Sequence, residues 1–126
     1  MPYATITKPP LDQFPVRPNL TDYEAMRKTF VYESVMGELD GLPGGGLNIA
    51  YEAVDRHVAR GRGDRTMMIW EGKDGAVETY TFADMARLSN RFANVLRTLG
   101  VAKGERVFVF MDRVPELYAA VFGTLK

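Results

Sequence analysis

Apolar and polar positions along the chain change period several times, and each change marks an element. Thr21 and Glu24 form a capping-box pattern, and Tyr23, Met26, Phe30 and Val31 follow at helical spacing, predicting a helix that fails near Gly37. A second helix is expected after Asn48, a favourable cap, running to about Arg60, with Ile49, Ala53 and His57 on one stripe and Ala50, Val54 and Val58 beside it. Met67–Glu71 and Ala76–Tyr80 read as two strands joined through Gly72-Lys73-Asp74-Gly75, where Asp-Gly favours a tight turn. Thr81 and Asp84 form another capping pattern. It opens the strongest helical stripe of the chain: Phe82, Met85, Leu88, Phe92, Val95 and Leu99, closed by Gly100.

Beyond that glycine, Val107-Phe108-Val109-Phe110-Met111 is apolar without alternation. Such a run predicts a strand covered on both faces, as in a parallel sheet. Pro115 suits the first position of a final helix, 115–125, which reaches Lys126 without a glycine cap and reads as cut off. Helix 82–99, strand 107–111 and helix 115–125 make an αβα run, so the expected class is α/β: helices, a β-hairpin and one parallel-type strand. Residues 1–20 hold five of the seven prolines and show no periodicity, so they are expected to form an extended arm ahead of a partial domain, 21–126.

Composition narrows the chemistry. Sixteen Lys+Arg balance sixteen Asp+Glu, so neither a nucleic-acid nor an anionic-membrane partner is expected. The absence of cysteine removes disulfides and thiolate metal sites. The first residues lack a signal-peptide layout and no apolar run approaches bilayer length, which makes the cytoplasm the expected location.

Several local patterns imitate sites and read better as structure. Gly44-Gly45-Gly46 lacks the Lys-Ser/Thr of a phosphate loop and a preceding strand, so it is a connector. His57 is the single histidine, which leaves no quorum for a metal cluster or triad, and Asp55-Arg56-His57 is read as structural, with Arg56 anchoring neighbouring loops. Arg62-Gly63-Asp64 is a helix-ending turn, and the sequon Asn19-Leu20-Thr21 is idle. Arg56, Arg60, Arg62 and Arg65 are diluted by Asp55 and Asp64 and form a solvated face. Trp70 and Met67-Met68 are assigned to packing. Glu33 with Glu38, and Glu116 near Asp112, show no shared cleft. No catalytic, cofactor-binding or metal-binding residue is assigned.

The order of short motifs adds a family. Leu47-Asn48-Ile49-Ala50-Tyr51-Glu52-Ala53-Val54-Asp55-Arg56-His57 resembles a signature near the start of acetyl-CoA synthetases, AMP-forming members of the adenylate-forming superfamily. Tyr80-Thr81-Phe82 with Met85, Ser89–Leu96, Gly104–Val107, Pro115–Tyr118 and Gly123–Lys126 follow in the family's order. The resemblance covers about residues 44–126 and implies the N-terminal portion of a larger ligase. Such an enzyme joins a carboxylate to coenzyme A through an acyl-adenylate, using ATP, Mg and coenzyme A. It further implies that the phosphate loop, the ribose-binding Asp and the catalytic Lys lie past Lys126. This chain alone is therefore expected to bind none of these cofactors and to be inactive. Where the family often has Ser, Val114 stands as helix cap, a loss of about 1 kcal/mol.

Partners follow from the same reasoning: the remainder of the same enzyme or, in the alternative reading of the chain as a stand-alone interaction module derived from the same fold, self-association through the last strand and helix. Leaving four or five large apolar side chains wet at roughly 2 kcal/mol each amounts to about 8–10 kcal/mol, the size of a whole domain's stability. An isolated chain is accordingly expected to be marginal, molten or oligomeric.

Overall fold

The computed structural model describes residues 4, 5 and 7–126; Met1–Tyr3 and Ile6 of the proline-rich arm lie outside the described residues. The chain divides into two compact units, one up to Glu38 and one from Leu39 to Lys126.

In the first unit a single 3-10 turn, Leu11–Gln13, precedes helix α1, Tyr23–Thr29, and the one-turn helix α2, Glu33–Met36. Asp22, not Thr21, caps α1: its carboxylate accepts the Ala25 amide at 2.9 Å. The predicted single helix is broken at Phe30, whose backbone is extended. Thr29 turns its hydroxyl back on the Ala25 carbonyl, and β-branched Val31 follows, so nothing local favours continuing the helix. No side chain of α1 or α2 is buried.

The second unit is built on a helix–hairpin–helix–helix frame. Asn48 caps its first helix as expected, accepting the amides of Ala50 and Tyr51 at 2.9 and 3.1 Å. That helix widens to a π turn over Tyr51–Asp55 before returning to α geometry in α3, Arg56–Ala59. Strands β1, Thr66–Glu71, and β2, Val77–Thr81, form an antiparallel hairpin around the Asp-Gly turn, where Gly75 has φ +81°. A bulge at Met67 lets Met67 and Met68 both pack on the core, which strict alternation forbids.

The capping box at Thr81 and Asp84 is fully formed and starts α4, Phe82–Thr98. Helix α5, Pro115–Leu125, begins with proline and a Val114 cap that makes no side-chain bond. The core lies where α4 and α5 meet the first helix and hairpin: Val54, Met85 and Ala119 are buried, with Leu88 and Phe122 packed around them. Helices α4 and α5 approach closely because Gly123 faces Ser89. A Cβ there would lie 2.6 Å from the Ser89 carbonyl oxygen and 2.9 Å from Phe92 Cβ. Ser89 itself is buried and bonds the Met85 carbonyl at 2.6 Å.

Two further expectations change. The last turns of the α4 stripe are misplaced: Val95 and Leu99 are exposed, and Leu96 turns inward instead. Residues 107–111 join no sheet, because among the described residues no third strand exists to pair with them. Helices and the β-hairpin are formed as expected; the parallel-type strand is present only as an unpaired segment.

Candidate functional site

The most connected polar cluster grows from the π-turn helix. One extra residue per turn changes which side chains share a face, and π turns recur at functional positions. Here Asn48, Glu52, Asp55 and Arg56 all reach away from their own helix. Glu52, with a side chain 11% exposed, accepts the amides of Gly41 at 2.7 Å and Asp40 at 3.2 Å and the Arg56 guanidinium at 2.7 Å. Burial pushes its carboxyl up, but the Gly41 and Asp40 amides and the Arg56 charge outweigh this and hold it below the usual carboxylate range. Asp40 also pairs with Arg60. The glycine connector 41–46 is thus pinned at its start by one carboxylate and closed by the Leu42 amide on the Gly46 carbonyl at 2.9 Å.

The other side of the cluster holds the end of α5. Asn48 Nδ2 donates to the Leu125 carbonyl at 2.6 Å, so one side chain caps the start of one helix and the end of another. Lys126 Nζ donates to Asp55 Oδ1 at 2.8 Å and Asn90 Oδ1 at 2.7 Å, tying three helical segments together. Beside them runs an open groove of about 970 Å³, lined in part by Asn94, Arg97, Lys103 and Glu105.

His57 stacks on Phe82 with ring centroids 4.5 Å apart. Burial, then the charges of Arg62, Arg56 and Arg60, push its pKa down, so the ring is neutral at pH 7. Trp70 does more than pack: its Nε1 donates to the Arg113 carbonyl at 2.7 Å and holds the approach to α5. Tyr80 donates to the Glu78 carboxylate, which, with burial, raises its hydroxyl to about 12.

The structure brings Arg56 to the loop it was expected to anchor, and leaves Asp112 and Glu116 outside this cluster. Sequence reasoning missed Glu52, Asn90 and Lys126. Their partners lie 11 to 71 residues away, or on another helix, and no local pattern signals such ties.

Chemically the cluster is a set of side-chain ties between segments of the second unit. Among the described residues no group of three His, Cys, Asp or Glu side chains is placed to hold a metal ion. Nor does the Gly44–Gly46 loop fit a nucleotide phosphate: its Gly45 amide is spent on the Leu42 carbonyl, and no lysine follows in the loop. No helix of the described residues is long and apolar enough to cross a membrane.

Comparison with known proteins places this frame. Residues 55–126, more than half of the chain, match the family described as "AMP-binding enzyme". The chain is 50% identical over 78 residues to acetyl-coenzyme A synthetase of Deinococcus radiodurans, covering 62% of this chain and 12% of that protein. It is 40% identical over 109 residues to acetyl-coenzyme A synthetase of Bacillus subtilis, 86% of this chain and 19% of that protein. A 3-hydroxypropionyl-coenzyme A synthetase of Metallosphaera sedula is 38% identical over 104 residues, 82% of this chain and 15% of that protein. The crystal structure of a Brucella canis acyl-CoA synthetase superposes with a TM-score of 0.71 at 27% identity, covering 82% of this chain and 18% of that one. The chain spans less than a fifth of the length of each of these proteins. It belongs to the AMP-binding enzyme family, and corresponds to the N-terminal portion of its AMP-forming acyl-CoA synthetases.

Proposed function

We propose that this chain is the scaffold segment of a ligase that joins acetate, or another short-chain carboxylate, to coenzyme A through an acyl-adenylate. It supplies the packing frame and no reactive group. The observation that carries this reading is the cluster around the π turn: Asn48, Glu52, Asp55, Arg56 and Lys126 all have internal partners, and each tie fixes a loop or a helix end. Adenylation needs the opposite, donors left free and aimed at developing phosphate charge. The relatives' names supply the substrate class, and their greater length supplies room for the reacting groups.

Two measurements test it. The purified chain, given acetate, Mg·ATP and coenzyme A, is expected to release no pyrophosphate; carboxylate-dependent release would overturn the reading. Residues 47–126 transplanted into the Bacillus subtilis relative in place of the matching segment are expected to support thioester formation. A folded but inactive chimera would count against a scaffold role.

A further inference from the structure

His57 reaches α4 in two ways. Its ring lies on Phe82, the first residue of that helix, with centroids 4.5 Å apart and planes tilted by 35°. Its backbone carbonyl accepts the Arg62 amide at 2.9 Å, and the turn so fixed presents two carbonyls to the same helix end. Gly63 accepts the Ala83 amide at 2.9 Å and Arg65 accepts the Phe82 amide at 3.1 Å. Amides in the first turn of a helix have no partners within it, so these two bonds complete the start of α4. Ring and turn together close one junction, between α3 and α4.

The surroundings of the ring are set against protonation. Arg56 and Arg60 face it from its own helix and Arg62 from the turn. Asp64 and Arg65, on the same turn, are exposed. The carboxylates of its own helix, Glu52 and Asp55, are turned to the connector amides and to Lys126. Phe82 places the ring at the N-terminal end of α4, where partial positive charge gathers, and the acidic side chain of that turn, Asp84, is bound to Thr81 and Arg87. Asp40, from the connector, is the acidic group that faces His57, but it is already paired with Arg60 and lies 4.0 Å from Arg56. A phenyl face attracts a cation. Burial, with three guanidinium groups against one carboxylate, outweighs that attraction and pushes the pKa down.

We propose that His57 is a proton-operated latch on this junction: the neutral ring keeps α3 closed on the start of α4, and the imidazolium leaves Phe82, turns to Asp40 and frees the amides of Phe82 and Ala83. The sign follows from linkage. An open junction takes up the proton at the ordinary imidazole value and the closed one only at lower pH, so acid favours the open form. The opening is local, because the crossing of α4 and α5 is made by Ser89, Phe92 and Gly123, which do not titrate. The latch does not rest on the ligase reading, and its failure would leave that reading untouched.

Because His57 is the single histidine, its ring-proton resonance in the purified chain is unambiguous. The titration midpoint is expected below the ordinary imidazole value. Arg62→Gln is expected to raise that midpoint and Asp40→Asn to lower it. Amide hydrogen exchange, corrected for intrinsic rates, is expected to show protection at Phe82 and Ala83 falling several-fold between about pH 7.5 and about pH 5.5, with a smaller loss at Ser89 and Phe92. His57→Phe keeps an aromatic ring on Phe82 without a titrating nitrogen and is expected to abolish that response. Should this variant fail to fold, the local exchange pattern and the two opposite midpoint shifts decide. An ordinary midpoint that neither variant moves would overturn the proposal. So would an equal loss of protection along α4, or the same acid response in folded His57→Phe.

Discussion

The two ends of helix α5 stand on opposite kinds of ground. At its C-terminal end, Gly123 lies against Ser89, Asn48 takes the Leu125 carbonyl and Lys126 is held by Asp55 and Asn90. Before its N-terminal end, Phe108 and Phe110 stand in solvent on a backbone without hydrogen-bond partners among the described residues, and Trp70 supplies one fixed point at Arg113. The same chain is thus self-sufficient where helices cross and unfinished where a strand needs neighbours. Helices satisfy their own backbone groups, whereas a strand depends on others for every one.

Mutations that break this contrast fall in a clear order. Met85→Ala removes a fully buried side chain and is expected to cost about 2–5 kcal/mol in a denaturant titration. Gly123→Ala drives a methyl group into the Ser89 backbone; the clash, at about 1–3 kcal/mol or more, outweighs the roughly 1 kcal/mol that alanine gains in helix propensity. A stabilised Gly123→Ala chain would show that the helix crossing has slack. Thr81→Ala opens the capping box of α4 and is expected to cost about 1 kcal/mol. Phe110→Ser is expected to shift stability by no more than about 0.5 kcal/mol, because the ring is already wet. A large loss there would mean that the segment is covered within its own chain.

Acid sharpens the same comparison, because the groups with displaced pKa values lie in the finished region. Glu52 and Asp84 are held below their ordinary carboxylate values. Burial acts against the displacement at Glu52, where the Gly41 and Asp40 amides and Arg56 prevail, and Thr81 is the main cause at Asp84. A depressed carboxyl adds stability that is complete above its unfolded value and lost as pH falls through the folded one. His57, also depressed, acts in the same sense at higher pH: the unfolded chain takes up its proton first. Thermal unfolding followed from pH 7 downward is expected to show stability falling first below about pH 6.5, then more steeply below about pH 4.5. Glu52→Gln is expected to flatten the lower part.

What proved legible in the sequence was what short range controls. The Asn48 and Thr81 caps, the Asp-Gly hairpin and the Pro115 start each depend on residues within four positions, and all were placed correctly. The ordered motifs from Leu47 to Lys126 were enough to indicate the family. Alternatives of nearly equal local merit were harder to separate: Asp22 displaced Thr21 as a cap, and Phe30 ended a helix whose apolar spacing continued.

By itself, then, the sequence determined the helices of the second unit, the hairpin and the ligase family, because capping, turn chemistry and periodicity act between near neighbours. Only the tertiary structure decided that Glu52, Asn90 and Lys126 bind distant partners, that Ser89 and Gly123 set a helix crossing, and that Val95 and Leu99 stay exposed while Leu96 is partly buried. It also decided the fate of residues 107–111. An apolar run states that cover is needed, but whether a strand forms depends on an edge that another segment must bring.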